Sequence, residues 1–282
     1  MEILNFVPQK VKRAELLWTP TLLVPVGDLQ YGAEGFWKAG FVRWLEECFE
    51  EADGQPIYFL GMGDYADMLS PSNRQRVGSS GLYEIALDAL EAQADRDVEG
   101  IKGLLEATKG QWIGMLEGHH YFEFDDGSTT DTRLCNYLET TFLGDCAQIH
   151  LRFKKNDHVS KIVRVWCHHG SGTGSTNKKL ADIAAGNDAD LLLMGHTPNI
   201  EGKKLSYSYT TDAGQLRHRE RRVAGTGGWL RGYKQGSSRK GRAQGNYVEQ
   251  RMLPPAPLGG IKIWLKPWRT EKESGVRIEV VI

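Results

Sequence analysis

Five short segments of the chain carry side chains that could hold a metal ion or move a proton. They are Asp28 with Gln30 in GDLQ (27–30), Asp64 with Asp67 in GDYAD (63–67), His119 with His120 in GHH (118–120), His168 with His169 in HHG (168–170), and His196 in GHTP (195–198). Imidazoles combined with carboxylates form the ligand set of Zn, Mn, Fe or Co ions. An Asp beside a His fixes the imidazole tautomer and raises its basicity, which suits proton transfer. Each segment alone is ordinary, since Gly-Asp after a strand is commonly a turn and a single His is commonly a surface or core residue. Together they hold five of the eight histidines, a concentration that turn chemistry leaves unexplained.

The residues ahead of each segment are apolar. TLLVPV (21–26), IYFLGM (57–62), QWIGML (111–116), KIVRVWC (161–167) and DLLLM (190–194) have the length of buried strands. Each delivers its polar residues at a strand's carboxyl end, where open α/β sheets place their ligands. In an extended chain residues i and i+2 point the same way, so Asp28 and Gln30 should face one ion or substrate. Between the first two runs Trp37, Phe41, Trp44, Leu45 and Cys48 recur at helical spacing. Helical patterns follow over 81–108, 131–142 and 176–186. Strands alternating with helices predict a layered α/β fold. Past about residue 200, LSYSYT, NYVEQRM, IKIWL and VRIEVVI read as strands around a Gly- and Arg-rich connection (225–245), which predicts a further sheet on the same core. No low-complexity linker interrupts the chain. The expectation is one domain over 1–282, with 200–282 as its C-terminal β-rich part.

Composition narrows the function classes. At 282 residues, 40% hydrophobic and 25% charged, the chain reads as an ordinary globular protein. Its net charge of −1 supplies no whole-molecule field for nucleic acid or membrane. The four cysteines form no CxxC pair, which predicts reduced thiols. Neither a signal peptide nor a membrane-length apolar run is visible, so the expected location is cytoplasmic, away from membranes.

In this order and after successive strands, DLQ, GDYAD, GHH, HHG and GHTP resemble the motifs of calcineurin-like metallophosphoesterases: D-x-H, G-D-x-x-D, G-N-H, H and G-H-x-H. The resemblance spans about residues 21 to 200. GTGGWLRGY and NYVEQRMLPPAPLGGIKI are also similar to the C-terminal parts of phage and bacterial members. It implies two facing β-sheets flanked by helices and two metals about 3.5–4 Å apart, bridged by an Asp. On this chain it implies Asp28 as a ligand of the first metal, Asp64 as the bridge, and His168 and His196 as ligands of the second. His169 is the alternative to His168, because the doubled His permits a one-residue shift. His120 takes the position of the general acid and Asp67 that of the residue orienting it. Three positions depart from the pattern: Gln30 stands where the family has His, His119 where it has Asn, and Pro198 where it has the final His. Gln30 offers the first metal only a weak neutral oxygen and Pro198 nothing. One tight ion is therefore expected at the second site, where His119 adds a nitrogen, and a weak ion at the first.

The activity implied is hydrolysis of a phosphate ester, with a diester favoured, by metal-activated water and His120 as acid. The missing first-site ligands keep open a metal-binding protein with reduced or lost catalysis. From 217 to 242 the chain holds Arg217, Arg219, Arg221, Arg222, Arg231, Lys234, Arg239, Lys240 and Arg242 against Glu220 alone, with Trp229 and Tyr233 among them. That mixture suits a path for DNA or RNA, and so a nuclease, although a solvated surface loop can carry the same charges. His169 and Arg231 are further assigned to binding the substrate.

Overall fold

A strand buried on both faces must send alternate side chains into two different cores. In the computed structural model, which describes residues 9–282 apart from 81–83, 173, 237, 240, 241, 244, 246, 251 and 272, the strand Thr21–Val26 does so. Leu22, Val24 and Val26 pack with the helices, whereas Leu23 packs toward a second sheet. Leu191 and Leu193 likewise join the inter-sheet core, while Leu192 and Met194 meet the helix Thr176–Ala185 on the opposite face. A one-residue slip in either strand would exchange these sets, so burial fixes the register.

Two sheets face each other. One has six strands in the order Ser274–Val281, Lys262–Arg269, Thr21–Val26, Ile57–Gly61, Trp112–Leu116 and Phe142–Gly144. The other has seven, running through Val11–Leu17, Cys146–Asn156, Val159–His168, Leu191–Met194, Leu216–Gly228 and Gly259–Gly260, with Ile200–Thr210 paired alongside Leu216–Gly228. Met62, Ile149, Leu151, Val165 and Cys167 fill the space between them. The helices Lys38–Ala52, Glu84–Leu105 and Thr130–Tyr137 cover the outside of the first sheet with Phe41, Trp44, Ile101, Leu105 and Leu134. This is the pair of facing sheets with flanking helices that the motifs imply.

The C-terminal part differs from expectation. Its long strands add no separate layer on that core but complete the two sheets already present: Ile263 pairs with Leu23 in one, and Val223 pairs with Leu192 in the other. The further sheet among the described residues is only the short pair Ser238–Arg239 and Arg242–Ala243. An apolar two-stranded unit alone would leave its faces wet, and joining the existing edges buries them. NYVEQRM is not a strand; Tyr247–Gln250 is a single helical turn, and Asn246 and Arg251 lie outside the described residues. The connection also starts later, since the strand runs on to Gly228. Trp229 then anchors the chain, its ring 5.2 Å from Phe41 and 5.1 Å from Trp44 between centroids. Among the described residues no helix is long and apolar enough to cross a membrane.

Candidate metal centre

The loops after the strands Thr21–Val26, Ile57–Gly61 and Leu191–Met194 are bent in the same unusual way. Asp28, Gln30, Asp64 and His196 all have left-handed backbone, with φ of 48, 52, 53 and 64°. Such conformations cost a non-glycine residue roughly 1–3 kcal/mol each, so neighbouring structure must impose them. Here the loops zip together. The amides of Asp28, Gln30 and Tyr31 donate to the carbonyls of Gly63, Asp64 and Tyr65 at 2.9, 3.1 and 3.0 Å, and Asp67 donates back to Tyr31 at 2.7 Å. Leu29 drops into the helix-side core. Asp28 and Gln30 turn the other way, Asp28 Oδ2 accepting the His196 amide at 2.9 Å and Gln30 Nε2 donating to Asp64 Oδ2 at 2.8 Å.

Asp64 is the hub. Besides Gln30, its Oδ1 accepts the amides of His119 at 2.5 Å and His120 at 3.0 Å, which draws the third loop onto the second. The approach is so close that a Cβ on Gly118 would stand 2.0 Å from the Asp64 nitrogen, and one on Gly63 2.6 Å from His169 Nδ1. Both positions therefore require glycine.

Three imidazoles meet over this hub. The ring of His119 lies edge-on to those of His169 and His196, with centroids 4.6 and 4.8 Å away, and Nδ1 of His119 and Nδ1 of His196 face each other at 3.2 Å. His169 is 1% exposed. Its Nδ1 lies 2.7 Å from the Met62 carbonyl, which can only accept, so Nδ1 carries a hydrogen and Nε2 is the nitrogen left to face Asp64 or an ion. Nε2 is buried without a hydrogen bond, 3.4 Å from Asp64 Oδ1. Among the described residues two groups of ligand atoms each have their members within 4.8 Å of one another, His119–His169–His196 and Asp28–Asp64–His169. Both include His169, whose Nδ1 is already taken by the Met62 carbonyl.

Charge is distributed unevenly across the cluster. Burial pushes the Asp28 carboxyl up to about 7, with Asp64 adding to the effect and His169 opposing it. Burial acts on Asp64 in the same direction, but the His169 ring and the His120 contacts outweigh it and hold Asp64 well below the usual carboxylate range. For His169, burial disfavours the cation, yet Asp64 and Asp28 lift it to about 9. Burial, then His169 and His119, then Lys179 push His196 down to about 4.

Beside the cluster, His120 Nδ1 stands 3.3 Å from Asp67 Oδ1. Burial works to lower the His120 pKa, but Asp67 and Asp64 raise it more, and the net shift is upward. The loop that carries His119 and His120 is held from outside by two residues that sequence reasoning missed. Asp131, 1% exposed, accepts the Gly118 amide at 2.9 Å. Arg74 Nη1 donates to the carbonyls of Leu69 at 2.6 Å and His119 at 2.7 Å, with its guanidinium 3.6 Å from the centre of the Tyr121 ring. An acid in a helix's first turn ordinarily faces water and the helix dipole, so Asp131 carries no local mark of burial. Arg74 has none either.

Other expected residues stand elsewhere. His168 is outside the cluster: its Nδ1 accepts the Gly170 amide at 2.7 Å and its ring stacks on Trp166. Strand alternation explains this, since Cys167 faces the inter-sheet core and the residue two further on, His169, continues on that side. His169 accordingly sits among the ligand atoms, not at a separate substrate position. Arg231 lies over the Trp37 ring, 4.9 Å from its centroid. Pro198 and Asp28 flank one backbone position, both within 3.3 Å of where a Gly228 Cβ would be.

The basic segment is divided between places. Arg219 pairs with Asp188 and Asp190, and Arg221 donates to the Ala184 carbonyl and lies over Tyr207. Arg222 reaches Glu220 at 3.5 Å. These residues lie six or more positions back along the strand whose last residue, Gly228, adjoins Asp28, which sets Arg222 up to about 20 Å from that end. Lys240 lies outside the described residues, as do the side chains of Arg239 and Arg242.

No family model matches the sequence, and no curated protein matches it. Among solved structures the chain is similar to Vps29 from Cryptosporidium parvum, at 13% identity over 93% of this chain and 98% of that one, with a TM-score of 0.37. It is similar to Vps29 from Entamoeba histolytica complexed with zinc, at 10% identity over 92% and 98%, TM-score 0.36. A third likeness is to the calcineurin-like phosphoesterase YfkN from Bacillus subtilis, at 13% identity over 93% and 90%, TM-score 0.38.

Proposed function

We propose that the protein is a metal-dependent phosphoesterase with one tightly held divalent transition ion, Zn, Mn, Fe or Co, at His119, His169 and His196 beside Asp64. The observation that carries this reading is the convergence of His169, 1% exposed, with two further imidazoles and the Asp64 carboxylate, beside the Asp67–His120 pair on the adjoining loop. Imidazoles and a carboxylate brought together in this way are the donor set of a divalent transition ion. The ion, when bound, supplies the charge that acidifies a water and polarises a phosphoryl oxygen.

The chain's own residues do the rest. Asp64 fixes the third loop through two amides and so places His119 for the metal and His120 for the substrate. Asp67 favours the His120 cation, which is the form that can protonate a leaving oxygen. A protein that merely held a metal would not need that pair. The positions of Arg219, Arg221 and Arg222 favour a small phosphate ester, with a diester preferred, over a polynucleotide. The test is a metal analysis of protein purified without added metal, joined to a screen of mono- and diester substrates with and without chelator. Hydrolysis indifferent to chelation would overturn the proposal.

Two results follow. Because His169, and not His168, points into the centre, His169→Ala loses the ion on dialysis while His168→Ala keeps it. Zinc content measured after exhaustive dialysis distinguishes them, and equal retention would mean His169 is not a ligand. Because His169 Nε2 serves one ion only and Gln30 turns an amide donor toward Asp64, the protein holds one ion per chain. Gln30→His combined with Pro198→His raises that number toward two, as read by elemental analysis. Two tight ions in the unmodified chain would contradict the argument.

A further inference from the structure

General-acid catalysis depends on where the proton donor stands, and a misplacement of about 1 Å can cost on the order of 10²-fold in rate. The Asp67–His120 pair is not locked by burial, since the two side chains are 38% and 31% exposed. Backbone ties must hold it. On the amide side, His120 donates to Asp64 at 3.0 Å and Asp67 to the Tyr31 carbonyl at 2.7 Å. The carbonyls beside the pair take their donor from a third place, Arg74.

Arg74 lies in the helix Pro71–Ser80, which follows the segment that carries Asp67. Pro71, Ser72, Asn73 and Gln75 are exposed, whereas the Arg74 side chain turns inward and is 17% exposed. Its Nη1 donates to the Leu69 carbonyl at 2.6 Å and to the His119 carbonyl at 2.7 Å, with the Tyr121 carbonyl at 3.4 Å. Leu69 stands two residues after Asp67, and His119 and Tyr121 are the immediate neighbours of His120. One nitrogen thus gathers the chain on both sides of the pair. The guanidinium lies over the Tyr121 ring, 3.6 Å from its centre, which restrains it further. Its Nε stands 3.7 Å from the exposed Glu123 carboxylate, a contact of small weight. Asp131 reaches the same loop through the Gly118 amide, on the His120 side alone.

We infer that Arg74 is a positioning residue for the general acid, which sets the distance between Asp67 and His120 by bonding the backbone that flanks each. The inference rests on the phosphoesterase reading and adds the group that aims its acid. Arginine suits this task because its planar fork can stack on a ring while it donates to carbonyls. Lysine offers the charge and the donors without the plane.

The test compares the zinc-loaded full chain with Arg74→Met and Arg74→Lys on bis(p-nitrophenyl) phosphate and on a dialkyl phosphate. Arg74→Met should retain zinc at the wild-type ratio, because the amides of His119 and His120 stay on Asp64. Its kcat should fall about 10-fold to 100-fold on the dialkyl ester, whose leaving oxygen needs a proton, and little on the nitrophenyl ester, which departs without one. A merely structural staple would lower both alike. Arg74→Lys should show the same selectivity with a smaller loss, so the comparison stands even where the Met variant fails to fold. A crystal structure of the zinc-loaded variant reads the same point without activity: the 3.3 Å contact between His120 Nδ1 and Asp67 Oδ1 opens beyond hydrogen-bond reach. Equal losses on the two esters, or an unchanged contact, overturn the assignment. A wild-type chain that hydrolyses neither ester overturns the phosphoesterase reading, and the contact in the crystal then decides the positioning by itself.

Discussion

Asp64→Ala should abolish both metal retention and the proposed phosphoester hydrolysis. The carboxylate meets the chain from three directions: it accepts two backbone amides from the third loop, it accepts the Gln30 amide, and it stands 3.4 Å from His169 Nε2. Removal strands the His119 and His120 amides, each a buried or half-buried donor whose loss of partner costs about 1–3 kcal/mol, and frees the loop that aims both imidazoles. Asp64→Asn separates geometry from charge, since its amide oxygen can still accept the two amides. With the charge gone, His169 falls from about 9 toward the ordinary imidazole range. Below that upper value zinc must displace a proton from wild-type His169, so zinc affinity rises with pH up to about 9 in the wild type and levels off at lower pH in Asp64→Asn. Zinc titrations between pH 6 and 9 measure this. Undiminished zinc binding by Asp64→Ala would remove Asp64 from the centre.

How far the sequence reaches depends on whether an element's faces differ. The loops carrying Asp28, Asp64, His119 and His196 could be read because each follows an apolar run that ends in glycine or a polar residue. The choice between His168 and His169 is harder to read. The strand before them does alternate, with Val163, Val165 and Cys167 buried while Arg164 and Trp166 are half-buried and Ile162 is exposed. But apolar Ile162 and Trp166 stand on the wetter face and Lys161 on the drier one, which blurs the parity in the sequence. The strand Cys146–Asn156 has a plain alternation of Ala147, Ile149, Leu151 and Phe153, all buried, whereas Val11–Leu17 is an edge strand, mostly exposed, with little signal to read. Arg219 and Arg221 look like free cations in sequence because their partners, Asp188, Asp190 and Ala184, arrive from more than 25 positions upstream. Only the fold brings those charges together. Asp131 and Arg74 are hidden for the same reason: each acts on the backbone of a loop far away in the chain, and backbone amides and carbonyls have no sequence identity.

His120→Ala keeps the ion and lowers kcat by about 10²-fold to 10⁴-fold, the range for a general acid. The ring is not among the groups of metal-ligand atoms. Its amide, which Asp64 uses, survives the substitution, so the third loop stays in place. A leaving group that departs without a proton should escape the penalty: with a p-nitrophenyl ester the loss is small, and with an alkyl ester it is full. Asp67→Asn supplies the complementary result. The carboxylate 3.3 Å from His120 is one cause of its raised pKa. Its neutralisation lowers that pKa, and because the protonated ring is the active form, the alkaline limb of the kcat profile moves to lower pH. The acid limb, set by groups that must lose a proton, is unchanged. A leaving-group-independent loss in His120→Ala, with an unmoved alkaline limb in Asp67→Asn, would leave this pair a structural contact and deprive the centre of its acid.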